Sequence, residues 1–381
     1  MALLSVPSSG LAQTSPGDLA GLAIEDLMNI QITSASRKEQ PAGDVAAAVF
    51  VITHDDILRS GMKTIPDLLR LAPGVDAAQI NANRWAVSVR GFNNVYANKL
   101  LVLIDGRTVY YRLSAGVFWD AEEVIVDDIE RIEVTRGPGA AMWGANAVNG
   151  VINIVTKAAA DTQGGLVRVD GGTSGTQGVA RYGGTAGAMQ YRVFAQWTGM
   201  SDSSFAPGVG ANDESRGVTT GFRADWSGKP DALMLDGDFK AGRFHELYSN
   251  LDPQTAALAP VVADPTNQKN GHLLARWTHT RPSGATLQVQ SFFDAAARQG
   301  PLGNYDRQGF DVDVQYHTAV GSRQDLVAGT GYRFVAEGST GSVGLSLDPP
   351  DQTASLFTGF VQDEIALLGG RLKMTLGTQV Q

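Results

Sequence analysis

From Gly164 onward the chain alternates in polarity residue by residue. In Phe310-Asp311-Val312-Asp313-Val314-Gln315-Tyr316-His317, Phe310, Val312, Val314 and Tyr316 share one face, and Asp311, Asp313, Gln315 and His317 share the other. A period of two belongs to a β-strand. No apolar run is long enough to cross a bilayer as a helix. A membrane reading must therefore use strands, whose side chains alternate between lipid and lumen. A soluble sandwich shows the same alternation, and the connections separate the two. Gly184–Ala188, Ser227–Pro230, Arg281–Gly284, Gly321–Arg323 and Gly369-Gly370 read as short links. Ser201–Arg216, His245–Asn270, Gln299–Gln308 and Glu337–Gln352 read as long polar ones, with Gly171–Gln177 the short exception on that side. Short and long links in strict turn predict an antiparallel transmembrane barrel. Trp197, Trp226 and Trp277 fall toward strand ends, where an interfacial girdle would put them.

The preceding part reads differently. Val49–Ile52, Val87–Val89 and Leu100–Ile104 read as strands. Thr53 before Asp56, and Thr64 before Asp67, have the spacing of helix N-caps and predict short helices over Asp55–Ser60 and Ile65–Leu71. Pro66 is tolerated in a first turn, and Pro73-Gly74 ends the second helix. Asp128–Lys157 begins with a strand, Ile129–Val134. A glycine-lined loop with Gly137, Pro138, Gly139 and Gly144 follows, then Asn149-Gly150 and a second strand, Val151–Val155. The Asn-Gly pair reads as a hairpin turn. The glycines lack the Lys-Ser/Thr of a phosphate loop and the spacing of a dinucleotide fingerprint, so they read as turn and close-packing residues. His54 has no companion at ligand spacing and reads as a solvent-side residue, and no metal site is expected.

Three segments in order carry a resemblance: Val89-Arg90-Gly91-Phe92, Val102-Leu103-Ile104-Asp105-Gly106, and Arg131-Ile132-Glu133-Val134 through Arg136-Gly137-Pro138, Trp143–Ala147 and Gly150–Ile154. Together they resemble the plug domain of TonB-dependent outer-membrane receptors. The resemblance implies a mixed α+β plug followed by antiparallel transmembrane β-barrel strands. About eleven strands fit between Gly164 and Gln381, roughly half the twenty-two of large plugged barrels. The expected barrel is therefore incomplete, with its terminal strands open. The expected organisation is a residual signal peptide at 1–12, a periplasmic segment at 13–41, the plug at 42–157 and barrel strands at 164–381. Gly10-Leu11-Ala12 supplies the small residues for cleavage.

The resemblance also assigns roles. Ile30, Gln31, Ile32, Thr33 and Ser34 alternate and resemble the box that a TonB-type energy-coupling protein captures by strand addition. Arg90 and Arg136 are expected to lock the plug against barrel glutamates, placed in barrel sequence beyond Gln381. Gly91, Asp105, Gly106, Gly137, Pro138, Gly144, Asn149 and Gly150 are expected to form turns. Ligand contacts are expected from two plug loops, through Asn81, Asn83, Arg84, Tyr110, Tyr111, Arg112 and Trp119. The implied partners are the coupling protein, outer-membrane lipid and a small-molecule chelate. Ferric siderophore is the default, with cobalamin, haem and oligosaccharide open. A passive porin, a surface-binding barrel or adhesin, and a sugar-binding sandwich are the readings from other classes. The net charge of -9 excludes nucleic acid as a partner. No cofactor is implied, and no catalytic constellation appears.

Overall fold

The computed structural model describes residues 30–33, 37–45, 47–95, 97, 99–113, 115–137, 143–144, 146–206, 208–248, 262–342 and 346–381. The signal-like start, Ser34, Pro138 and Gly139 lie outside them.

Gln31–Ile32 (β1) pairs antiparallel with Gln40–Pro41 (β2). Ala48–Thr53 (β3) then leads into α1, His54–Ser60, through the capping box expected at Thr53 and Asp56. Gly61, at φ 68, ends this helix, and Thr64 caps α2, Ile65–Leu69. Val75–Gln79 (β4) and Trp85–Val89 (β5) make a hairpin. Leu100–Ile104 (β6), Arg107–Thr108 (β7), Ile129–Arg136 (β8) and Gly150–Thr156 (β9) join β3 in a five-stranded sheet of order β3-β8-β9-β6-β7. β6 and β9 run parallel, so the connection between them must cross over. β6 is buried at every residue, as its unbroken apolar sequence requires. Ile52, Ile57, Leu68, Leu69, Ile129, Ile132, Ile152 and Ile154 fill the core between this sheet and the helices.

Two local readings are corrected here. Asn149-Gly150 makes no hairpin. Neither residue takes positive φ, and Gly150 instead opens β9. A Cβ at Gly150 would lie 2.5 Å from the Thr135 carbonyl, so glycine is needed for close approach of the strands rather than for a turn. His54 is not a free surface residue: its Nδ1 bonds the Ile129 carbonyl at 2.7 Å and its Nε2 meets Lys157 Nζ at 2.7 Å.

The remaining chain forms one eleven-stranded antiparallel sheet in sequence order. Its strands are β10 (Gly164–Gly172), β11 (Gly175–Ala186), β12 (Met189–Met200), β15 (Ser215–Gly228), β16 (Asp231–Tyr248), β17 (Val262–Thr280), β18 (Thr286–Gly300), β19 (Gly303–Val320), β20 (Gln324–Gly341), β21 (Asp351–Leu367) and β22 (Leu372–Val380). A small hairpin, β13 (Ser204–Ala206) with β14 (Val209–Gly210), stands on the link between β12 and β15. β10 and β22 do not pair, so the sheet is open, as the strand count implied. In β19 the expected register holds. Asp313 pairs at 3.0 Å with Arg37, inside the curve of the sheet, whereas Phe310 is 43% exposed.

One of the expected long polar links is not a link. Gln299–Gln308 is no loop: Gly300 pairs with Gly303 across a tight turn through Pro301 and Leu302. Strands that continue past the lipid belt are polar on both faces, so their sequence resembles a loop.

Candidate functional site

The coupling-like segment is docked rather than free. Ile32 is fully buried. The Thr33 N–H donates to Glu133 Oε2 at 3.0 Å, and its hydroxyl accepts from Asn153 Nδ2 at 3.0 Å. Glu133 has no solvent exposure and also accepts from Arg131 Nε at 2.9 Å. It is the middle of the Arg-Ile-Glu-Val signature strand, so that strand both closes the plug sheet and holds the segment before it. Two further residues tie the segment to the barrel. Arg37 pairs with Asp313 at 3.0 Å, and its guanidinium lies 4.4 Å from the ring centroid of Phe360. Lys38 reaches Asp325 at 2.6 Å and Glu364 at 3.3 Å. These contacts lie toward the rim of short turns.

Between plug and barrel the charges are ordered by strand. On β10 to β18 the wall mostly presents cations to plug acids and carbonyls. Arg168 pairs with Asp127 and Arg181 with Asp128, while Arg192 stands 3.5 Å from Asp128. Lys240 pairs with Glu123 at 2.6 Å and Arg298 with Asp120 at 2.7 Å. Arg223 donates to the Thr156 hydroxyl at 2.8 Å, and Arg276 to the Asp105 carbonyl. Asp105 has the expected turn geometry, at φ 48 with Gly106 at φ 80. Its buried carboxylate also accepts from the Thr156 N–H at 2.9 Å, joining β6 to the end of β9.

The glutamates expected to lock Arg90 and Arg136 are placed beyond Gln381, and within this chain other plug arginines meet barrel glutamates. Among the described residues Arg90 and Arg136 make no ion pair; Arg136 donates to the Pro73 carbonyl at 3.0 Å. Arg90 and Phe92 take positive φ on either side of Gly91, at 60° and 59° against 93°. Gly137, at φ 126, leaves room for the Arg90 guanidinium: a Cβ there would meet it at 3.3 Å. Gly144 has φ 88. Among the described residues, the plug-arginine to barrel-glutamate pairs are Arg84 with Glu246 and Arg112 with Glu337, the latter at 3.9 Å. Both arginines are among the residues expected to contact ligand.

The two plug loops expected to meet ligand do reach the rim of long loops, but most of the chosen side chains are engaged there. Asn81 Oδ1 accepts from the backbone of Asn83 and Arg84, shaping the loop. Asn83 Nδ2 donates to the Asp213 carbonyl at 2.7 Å. Tyr111 is buried on Phe118, and burial together with Glu122 pushes its phenol well above the ordinary range. Trp119 belongs to the plug core. Tyr110 stays half-buried and Arg112 exposed. Sequence reasoning missed Asp213. This fully buried carboxylate accepts from the Ala82 N–H at 2.8 Å, the Ser203 N–H at 2.7 Å and the Ser203 hydroxyl at 2.6 Å. Burial pushes its pKa up, but these donors outweigh that and hold it below the usual aspartate range. A cavity of about 540 Å³ opens beside it, between the plug and β10 to β17, and includes Lys63, Trp85, Trp119, Gln196, Lys240 and Gln268 in its lining. That volume suits a small-molecule site.

Comparison with known proteins matches residues 41–151 to the TonB-dependent Receptor Plug Domain. The vitamin B12 transporter BtuB of Vibrio vulnificus (strain CMCP6) is 33% identical over 144 residues, which is 37% of this chain and 23% of that protein. The vitamin B12 transporter BtuB of Vibrio cholerae serotype O1 (El Tor Inaba N16961) is 32% identical over 196 residues, 51% of this chain and 31% of that protein. The chain thus spans less than a third of the length of these curated relatives. Among solved structures, the ferripyoverdine receptor of the outer membrane of Pseudomonas aeruginosa shares the fold at a TM-score of 0.72 and 16% identity, covering 92% of this chain and 54% of that one. The siderophore receptor PirA from Pseudomonas aeruginosa does so at 0.64 and 20%, covering 88% and 56%.

Proposed function

The chain belongs to the TonB-dependent receptor family of the outer membrane, and on that premise we propose that it serves import of a scarce nutrient chelate, driven by force on its N-terminal segment. A wide barrel would leak unless its lumen were filled, and binding energy alone only shifts an equilibrium. The docked state of Gln31–Thr33 supports the reading best. It is held by a two-residue strand pair, by Glu133, and by the Arg37 and Lys38 ion pairs. A partner that adds a strand can replace backbone bonds of this kind, and a pull can break the ion pairs one after another. The plug domain then fills the lumen as gate, and the chain acts as a transporter rather than an enzyme. Cobalamin and ferric siderophores are both open as cargo, the first from the relatives and the second from the shared fold.

The test is Ile32→Pro in cells producing the receptor. Proline removes an amide and blocks strand addition at a site far from the long-loop rim. Uptake should be lost while surface binding is retained. Equal loss of binding would make the segment structural. Wild-type uptake that survives dissipation of inner-membrane energy would favour a passive porin.

A further inference from the structure

The outward face of the sheet is uncharged across its middle. One row in register runs through Val193, Phe222, Gly237, Leu273, Phe293, Phe310 and Phe334. The rows next to it on either side hold no charged residue from β12 to β20. This is the band that faces lipid in an outer-membrane barrel. Trp197 marks its edge toward the long-loop rim, in register with Val218, and Trp226 marks the other. From Val218 to Trp226 the strand climbs about 20 Å at the usual tilt, most of the height of such a band.

One row beyond Trp197, two arginines face each other. Arg216 on β15 pairs in register with Arg243 on β16. Both are exposed, and strand parity puts both side chains on the lipid side. Arg216 shares its face with exposed Val218, Thr220 and Phe222, whereas buried Thr219 points inward and donates to Glu123 of the plug at 3.2 Å. Arg243 shares its face with exposed Phe239, whereas Lys240 points inward to Glu123. Both arginines also border the inner cavity, where their inward neighbours Gly217 and Gly242 have no side chains to cover the strand backbone. Lys269 on β17, exposed and in the row of Trp197, adds a third cation.

Among the described residues none of the three makes an ion pair. Glu214, two residues from Arg216, meets His245 Nδ1 at 3.6 Å, and Asp306 stands two strands away from Lys269. Like charges directly opposite on a sheet repel, so this pair costs stability unless an anion lies between them. Their Cβ atoms are about 5 Å apart, close enough for two guanidinium forks to converge on one phosphate. Gly199 flanks Arg216 on β12, and the Trp197 ring leans across it: a Cβ there would come within 3.2 Å of the indole. Cations and an indole thus sit together at the level of lipid headgroups, outside the lumen that cargo would enter.

We infer that Arg216, Arg243 and Lys269 bind the phosphorylated headgroup of an outer-leaflet lipid, whose acyl chains lie along the apolar band below. The site stands apart from the cargo reading and depends only on the outer-membrane location.

The experiment titrates the full-length receptor, in a neutral detergent, with diphosphoryl lipid A, with its dephosphorylated form and with inorganic phosphate, and counts bound molecules by native mass spectrometry. The diphosphoryl lipid should bind about tenfold or more tighter than the dephosphorylated one. Arg216→Gln combined with Arg243→Gln should weaken it by about tenfold, and the paired Arg→Lys variant by about threefold, because charge remains while the fork is lost. Lys229→Gln, which removes an exposed cation at the opposite rim, should leave it unchanged. Equal binding of the dephosphorylated lipid, or wild-type affinity in the paired Arg→Gln variant, overturns the inference. Inorganic phosphate bound as tightly as the lipid would make this a site for a soluble anion and overturns it too.

Discussion

Two stretches of the same sheet hold two parts of the same chain, with opposite charge and different strength. On β10 to β18, arginines and Lys240 grip the folded plug at several points, and Arg192, Arg223 and Arg276 also bond plug carbonyls. On β19 to β21, the acids Asp313, Asp325 and Glu364 hold Arg37 and Lys38 of the N-terminal segment, and the plug meets an acid of these strands at Arg112 and Glu337, 3.9 Å apart. On the proposed reading, the difference teaches how one lumen could both retain the plug and release the segment. Arginine forks on carboxylates and carbonyls fix a position through several donors at once, whereas a lysine is a point charge on a flexible stem. Under the proposed coupling, force applied at the chain start would meet the sparse contacts first and the dense ones last.

The most direct way to break this comparison is Asp128→Ala. Asp128 is 2% exposed and faces both Arg181 and Arg192. Its removal leaves two largely buried guanidinium groups uncompensated, which should cost about 3–5 kcal/mol of plug seating. Protease cleavage within 42–157 in outer membranes would report it as a sharp rise. An unchanged digest would mean that the basic wall does not hold the plug.

Lys38→Ala should do less to the plug and more to the segment. The expected loss is about 1–3 kcal/mol, confined to docking of residues 30–41, because Arg37 on Asp313 and Thr33 on Glu133 still hold the segment. A spin label at Gln31 should become mobile while the digest of the plug stays as in the wild type. If Lys38→Ala loosens the plug as much as Asp128→Ala does, the two walls are a single clamp and the contrast fails.

Local chemistry was legible in the sequence, and contacts between distant residues were not. The Thr53–Asp56 capping box, the strand period of β19 and the Arg-Ile-Glu-Val strand depend on neighbours within a few residues, and all formed as read. Arg37 and Asp313 lie 276 residues apart, and no local pattern marks one as the partner of the other. The same limit hid the pairs of Arg84 with Glu246 and Arg112 with Glu337. Asn81 and Asn83 suit ligand contact or turn formation equally in the sequence, because loop asparagines serve both. Only the packed structure shows that Asn81 takes backbone donors and Asn83 the Asp213 carbonyl. Glu133 had a visible signal, a carboxylate in a strand otherwise suited to burial, but nothing in the sequence named Thr33 as its donor.

Asp213 sharpens the comparison at the long-loop rim, where a third contact joins barrel to plug. Its carboxylate gathers donors from Ala82 in the plug and Ser203 in its own loop, so loop and plug should move there as one. Because its folded pKa is depressed, its stabilisation is complete above the ordinary aspartate pKa of about 3.9 and is lost as pH falls through the lower folded value. Amide exchange at Ala82 and Ser203 should therefore stay slow from neutral pH down past that ordinary value, then rise at both sites together. Asp213→Asn should raise both at neutral pH, by about tenfold for about 1–2 kcal/mol of lost hydrogen bonding to a charged group. Plug seating at Asp128 should not change, since the two sites share no partner. Exchange that rises at Ser203 alone would show a loop braced internally, with the plug's outer loop held by Arg84 and Glu246 instead.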